Sequence, residues 1–214
     1  MGRIVFCSTR YSSLITHHSS LILGAVIVLA LCFGAQPPSA WAVQRPLINT
    51  VLITHTDQEV LLYSTLAGGF PQELLDAIES GIPATMTFYM KLFRKRGLWF
   101  DEEVLSKTIK HVVKYNALKK EYRFSEINGL FSSIKVTKKQ PTMVQWMSEI
   151  DGQPLIPFHL LHPGEEYYVK VMADMKTGQS LFPLSYIPFL ASLWDTGTSW
   201  AVSSPFTIHS PPTQ

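Results

Sequence analysis

The sequence predicts a mainly β protein: an antiparallel β-sandwich-like domain with one or two short helices, preceded by an N-terminal signal segment. Three observations carry that expectation. Short runs of alternating apolar and polar residues recur along the chain, they are rich in β-branched and aromatic residues, and Gly, Pro, Asn and Asp punctuate the intervals between them. No repeat with a period of roughly 20–50 residues is present. A single domain over residues 43–209 is therefore expected, between a leader at 1–42 and a tail at 210–214.

The leader has three parts in order. Arg3 and Arg10 give a positive start, and no acidic residue precedes Asp57. Leu21–Ala35 is an apolar run, and Ala40-Trp41-Ala42 is a small-x-small cleavage site. The run is shorter than the ~20 residues a membrane span needs, which favours cleavage after Ala42 over an uncleaved anchor. Cys32 comes after Leu31, where a lipidation site needs a small residue, so lipidation is disfavoured. Both cysteines, Cys7 and Cys32, leave with the leader, and with them any disulfide or thiolate chemistry. Arg3 and Arg10 leave too. The 18 Lys and Arg fall to 16, against 16 Asp and Glu, so a near-neutral mature chain gives no support for nucleic-acid binding.

Within the domain, "NTVLITHTDQEVLLYSTLAG" predicts a hairpin that turns at Thr56-Asp57-Gln58. Pro71 to Gly81 carries Leu74, Leu75 and Ile78 on one face, a short amphipathic helix with Pro at its start and Gly at its stop. Residues 84–125 predict a three-stranded antiparallel meander with a long first hairpin. Met86, Phe88, Met90 and Leu92 line one face of its first strand. The segment 126–165 carries weaker signals. "PTMVQWMSEI" suggests a helix capped by Thr142, with Met143, Trp146, Met147 and Ile150 inward, and Pro154, Pro157 and Pro163 interrupt the chain after it. "EEYYVKVMADMK" predicts a strand with Tyr167, Val169 and Val171 on one side. "FPLSYIPFLASLW" is apolar and broken by Pro183 and Pro188, and "SPFTIH" closes the domain as a strand.

One short stretch suggests a chemistry. Asp195-Thr196-Gly197-Thr198-Ser199 matches an aspartic-protease loop. That chemistry needs two aspartates sharing a proton, because two such close charges cannot both ionise. No second Asp-Thr-Gly exists, and only 19 residues come after Asp195, too few to build a flap and a bracing segment. Asp and Gly here suit a turn, flanked by Trp194 and Trp200. His159 and His162 lack the third and fourth ligands that zinc requires. Glu102 and Glu103 are adjacent, so a strand sends them to opposite faces. No nucleophile elbow, phosphate loop, dinucleotide fingerprint or His-Glu-x-x-His motif occurs. The residues therefore point to no catalytic group, metal or cofactor.

Charge is uneven in one place. Lys91 to Arg123 holds ten basic residues against four acidic ones, and "RKRGLWF" sets Arg94, Lys95 and Arg96 beside Trp99 and Phe100. Cations next to exposed aromatics suit a protein partner or an anionic membrane surface. The alternative is a solvated hairpin whose charges guard its edges.

The order of segments "GGFPQELLDAIESGIPATMTFYMKLFRKRGLWFDEEV", "HVVKYNALKKEYRF", "PGEEYYVKVMADM", "LFPLSYI" and "WDTGTSWAVSSPFTI" resembles the bacterial domain of unknown function family 4390 over about residues 47–208. The pattern of that family does not require Asp-Thr-Gly in the late segment. The resemblance implies an exported envelope protein with no catalytic residues to carry over. It also implies a link to a membrane sensor histidine kinase of the nitrogen-regulation type, beside which members are often encoded. The expected function is a non-enzymatic periplasmic binding or accessory module, tethered to the inner membrane if the leader is retained. The alternatives are an envelope hydrolase without a recognisable motif and a structural envelope protein at the membrane surface.

The leader and the protease-like stretch can each be checked. Intact-mass measurement of the envelope form should give a chain that starts at Val43, whereas a mature chain retaining Leu21–Ala35 would mean an anchor. Asp195→Asn should leave any proteolysis by the purified protein unchanged. Pepstatin-sensitive activity lost on that substitution would restore the protease reading.

Overall fold

The alternation in the opening segment builds strands β1 (Leu47–His55) and β2 (Glu59–Ala67). They are described in a computed structural model that covers residues 45–177 and 197–208 of the 214. The chain divides into two units, Met1–Val43 and Gln44–Gln214, and the described residues belong to the second. The expected leader at 1–42, both cysteines, Asp195 and "FPLSYIPFLASLW" lie outside the described residues. The turn between β1 and β2 is closed by the Thr56 hydroxyl, which accepts from the backbone N–H of Glu59 at 3.0 Å. In β2, Val60, Leu62, Ser64 and Leu66 face inward, as their period of two requires. Helix α1 (Gln72–Glu79) comes next, with Pro71 at its N-cap and Leu74, Leu75 and Ile78 buried.

The meander is present and is longer than expected. Strands β3 (Ala84–Arg94), β4 (Glu102–Asn116) and β5 (Glu121–Asn128) are joined by a fourth, β6 (Phe131–Thr137). Helix α2 (Gln140–Ser148) starts earlier than the sequence suggested. Lys139 is its N-cap and Pro141 lies in its first turn, so Thr142 is not the cap. It also ends earlier. Met143 and Met147 are fully buried, but Glu149 is extended and Ile150 belongs to strand β7 (Glu149–Pro157). Pairing of Ile150 with Ser64 on β2 outcompetes the continued helix.

Pro154 and Pro157 sit within β7 rather than ending it. That strand is an edge of its sheet, where a missing N–H is tolerated. Gly152 in β7 has φ +64°, and the Tyr63 hydroxyl lies 3.2 Å from where a Cβ would stand. A 3-10 turn (Phe158–Leu160) leads to β8 (Glu166–Thr177), and the short strands β9 (Ala201–Val202) and β10 (Phe206–Thr207) complete the domain.

Two antiparallel sheets result. The smaller has the order β1-β2-β7, and the larger β10-β8-β3-β4-β5-β6, with β9 also on β8. β1 lies against β8 and β7 against β4, while α1 and α2 cover the β4–β5 side. Between these layers lie Met86, Phe88, Met90 and Leu92 of β3, and Tyr167, Val169, Val171 and Ala173 of β8. Two polar links tie the cover to the large sheet. The Lys107 ammonium on β4 donates to the Pro154 carbonyl on β7 at 2.6 Å, and its burial lowers its pKa. The Tyr122 hydroxyl on β5 donates to Glu79 of α1, which also accepts from Gln140 of α2.

The core holds one ionisable ring. His111 is 1% exposed and meets Phe88 and Phe124 edge-on, with ring centroids 5.1 Å from each. Its Nδ1 is 3.4 Å from the Met147 carbonyl. Its Nε2 has no hydrogen-bond partner among the described residues, since Glu126 on β5 stands 3.7 Å away. Burial lowers its pKa from 6.5 to about 4, assisted by the charge of Lys135 on β6. The folded chain thus refuses a proton that the unfolded chain accepts. Stability from this group is complete above about pH 6.5 and is lost as pH falls toward about 4, approaching about 3 kcal/mol. Urea unfolding across that window should show a shallower pH slope for His111→Leu than for wild type. Equal slopes would mean that the ring takes up its proton as readily in the folded chain as in the unfolded one.

Candidate interaction site at the hairpin tip

β3 and β4 pair from Ala84–Val113 to Arg94–Glu102, with a register shift between Leu92 and Phe93. Beyond them the loop Lys95–Asp101 turns the chain, and its base is fixed on both sides. The Lys95 N–H donates to the Glu166 carbonyl on β8 at 2.8 Å. The Asp101 carboxylate accepts from the Tyr168 hydroxyl at 2.7 Å and from the Arg96 N–H at 3.1 Å. Those two bonds, Tyr168 first, hold its pKa below the ordinary carboxylate range. Burial and the same bond push the Tyr168 phenol up to about 12.

The five residues singled out in the sequence divide into two groups. Trp99 and Phe100 are 80% and 96% exposed, and their neighbour Leu98, which the sequence pattern did not single out, is 94% exposed. Three consecutive large apolar side chains thus project from a braced loop. The cations are not free. Arg94 and Arg96 both bond the Glu102 carboxylate, and Lys95 pairs with Glu166 at 3.1 Å. Glu102 is held below its usual pKa by its bonds to the two guanidinium groups. Glu103 turns to Lys91 at 2.8 Å instead, so the adjacent glutamates serve separate partners.

Behind the loop, Phe93 stacks on Tyr168 with ring centroids 5.3 Å apart. The Lys170 ammonium sits 4.9 Å from the Phe93 ring centre, and that of Lys91 5.9 Å from the Trp200 ring centre. Glu166, Tyr168 and Lys170 all come from β8. No short-range signal links them to the tip, because only the β3–β8 register brings them there.

The other sequence candidates lie elsewhere. Thr198 of the protease-like stretch is buried, and it exchanges hydrogen bonds with the Ala173 backbone through its N–H at 2.8 Å and its hydroxyl at 3.0 Å. It anchors the returning chain to β8. His159 and His162 are exposed, and no group of three or more His, Cys, Asp or Glu side chains that could hold a metal ion occurs among the described residues. His159 borders an open depression of about 670 Å³ beside the β1–β2 turn, together with Asp57, Glu59, Phe158 and Ile208.

The model of one protein family, the domain of unknown function DUF4390, matches residues 44–203. The chain belongs to this family. The DUF4390 match runs from the residue before the described region through β9, and so includes both helices, the tip and β6. β10 lies beyond it. No curated protein and no solved structure matches the chain.

Proposed function

We propose that this DUF4390 protein is a non-enzymatic binding or accessory module of the bacterial envelope, exported by its leader, which docks through Leu98, Trp99 and Phe100. The observation that supports it is the exposure of all three side chains on a loop held by Asp101, Tyr168 and Glu166. Burying each of them in a partner contributes about 1.5–3 kcal/mol, and a braced loop loses little freedom on binding. The occupant is an apolar pocket on another envelope protein, with a membrane sensor kinase as the first candidate. An anionic lipid surface is a weaker fit, because every cation of the tip already has an acidic partner.

The variant that tests this is Trp99→Ala with Phe100→Ala. Arg94 is a poorer choice, since Glu at 94 would face Glu102 across the hairpin and disturb the loop. Both aromatics lie outside the core, so the melting temperature should move by no more than about 2 °C. Capture of partners from envelope extracts should fall at least tenfold, and wild-type capture should change little between low and high salt. Unaltered capture by the folded double variant would overturn the proposal. Strongly salt-dependent binding to anionic vesicles would shift the reading to a membrane surface.

A further inference from the structure

The basic residues between Lys91 and Lys139 separate in the fold. Those of the tip are paired with acids. A second set is not: Lys110, Lys114, Arg123, Lys135, Lys138 and Lys139 are exposed and take part in no ion pair among the described residues. Two acids of this region are engaged elsewhere, while Glu121, two residues from Arg123 on β5, is the one that stands among the cations. Glu79 accepts from Tyr122, and Glu126 faces His111. Lys135 lies in β6, Lys138 and Lys139 come just after it, and Arg123 stands one strand in, while Lys110 and Lys114 lie two strands in on β4; among the described residues β6 ends the large sheet.

β6 lacks two of the devices that usually blunt an edge strand, proline and a bulge. Its register with β5 runs unbroken from Asn128–Phe131 to Tyr122–Thr137. Its one charged residue, Lys135, turns its ammonium over the Trp146 ring, 5.7 Å from the centre. Phe131, Ile134 and Val136 are 82%, 59% and 47% exposed. Alternate residues of such a strand present N–H and C=O groups to the open edge. Ile134 and Val136 fall on one face with Ile127 of β5, and Arg123 lies opposite Val136.

We propose that β6 is a docking edge for an acidic extended segment of another protein, which joins the large sheet as a further strand. Main-chain hydrogen bonds hold such a segment, and its carboxylates meet the free cations. A second copy of this chain fits poorly, because it would set one cationic edge against another. Residues 178–196 carry a single acid, Asp195, and two prolines, a composition that does not match an acidic extended segment. The proposal is independent of the tip.

The probe is a ten-residue peptide alternating Glu with Val, titrated against the purified full chain. It should bind saturably, with affinity falling at least tenfold from 0.05 to 0.3 M NaCl, and amide shifts should centre on β6. A Lys/Val counterpart should not bind. N-methylation of one alternate set of its residues should abolish binding, while methylation of the other set is tolerated. Ile134→Glu should weaken binding at least tenfold with an unchanged melting temperature.

Absence of binding, or binding indifferent to Ile134→Glu, would overturn the proposal. If both methylated sets bind equally, or heparin or duplex DNA binds as tightly as the peptide, the edge is only a polyanion patch and strand addition is wrong. A dimer in sedimentation that Ile134→Glu dissolves would assign the edge to self-pairing instead.

Discussion

The domain depends on β3 being hydrogen-bonded along all eleven of its residues on both sides, to β4 and to β8. The first pairing is a hairpin and is local. The second joins Ala84 to Thr177 and Arg94 to Tyr167, and it requires most of the domain to be threaded before it closes. Loop closure over such distances is slow, and the contacts repay it only once formed. Closure then fixes much else. Met86, Phe88, Met90 and Leu92 meet the inward row of β8, which completes the floor of the core. The start of β8 arrives beside the tip, where Glu166 and Tyr168 brace a loop that would otherwise have only its own hairpin for support.

How much of this was legible depends on the range of the interaction. The first hairpin, α1 and the meander were readable because each is fixed by residues a few positions apart: Thr56 for the turn, Leu74, Leu75 and Ile78 for the helix face, and Met86 to Leu92 for the strand face. The end of α2 was not readable. Ile150 fits a helical stripe with Met143 and Met147 as well as it fits a strand, and the choice is made by Ser64, 86 residues away in the chain. β6 was obscured for a related reason. "FSSIKVT" has almost no buried residue, so it shows no contrast between a wet and a dry face, and alternation is the main signal for a strand. The apolar side chains of the tip were visible in "RKRGLWF", but the state of its cations was not, since Lys95 finds its acid on β8.

That last difference changes the physics of the site. Counting charges along the sequence makes the tip an attractor for anions. Pairing across strands offsets most of that field, although each exposed ion pair contributes only about 0–1 kcal/mol to stability. Two guanidinium groups on one carboxylate, and an ammonium on another, leave Leu98, Trp99 and Phe100 as the dominant feature of the loop. Apolar transfer is short-ranged and insensitive to salt, whereas attraction between unpaired charges reaches across about a Debye length of ~8 Å under physiological conditions. Among the described residues, the exposed cations without an ion pair run from β4 through β5 to β6 and the segment just after it, and β6 is the end of the meander away from β8. The uneven charge of Lys91–Arg123 is therefore largely offset at the hairpin tip, and its unpaired part lies on β4 and β5, toward the β6 end of the sheet. The two surfaces differ in the physical force by which each can select a partner.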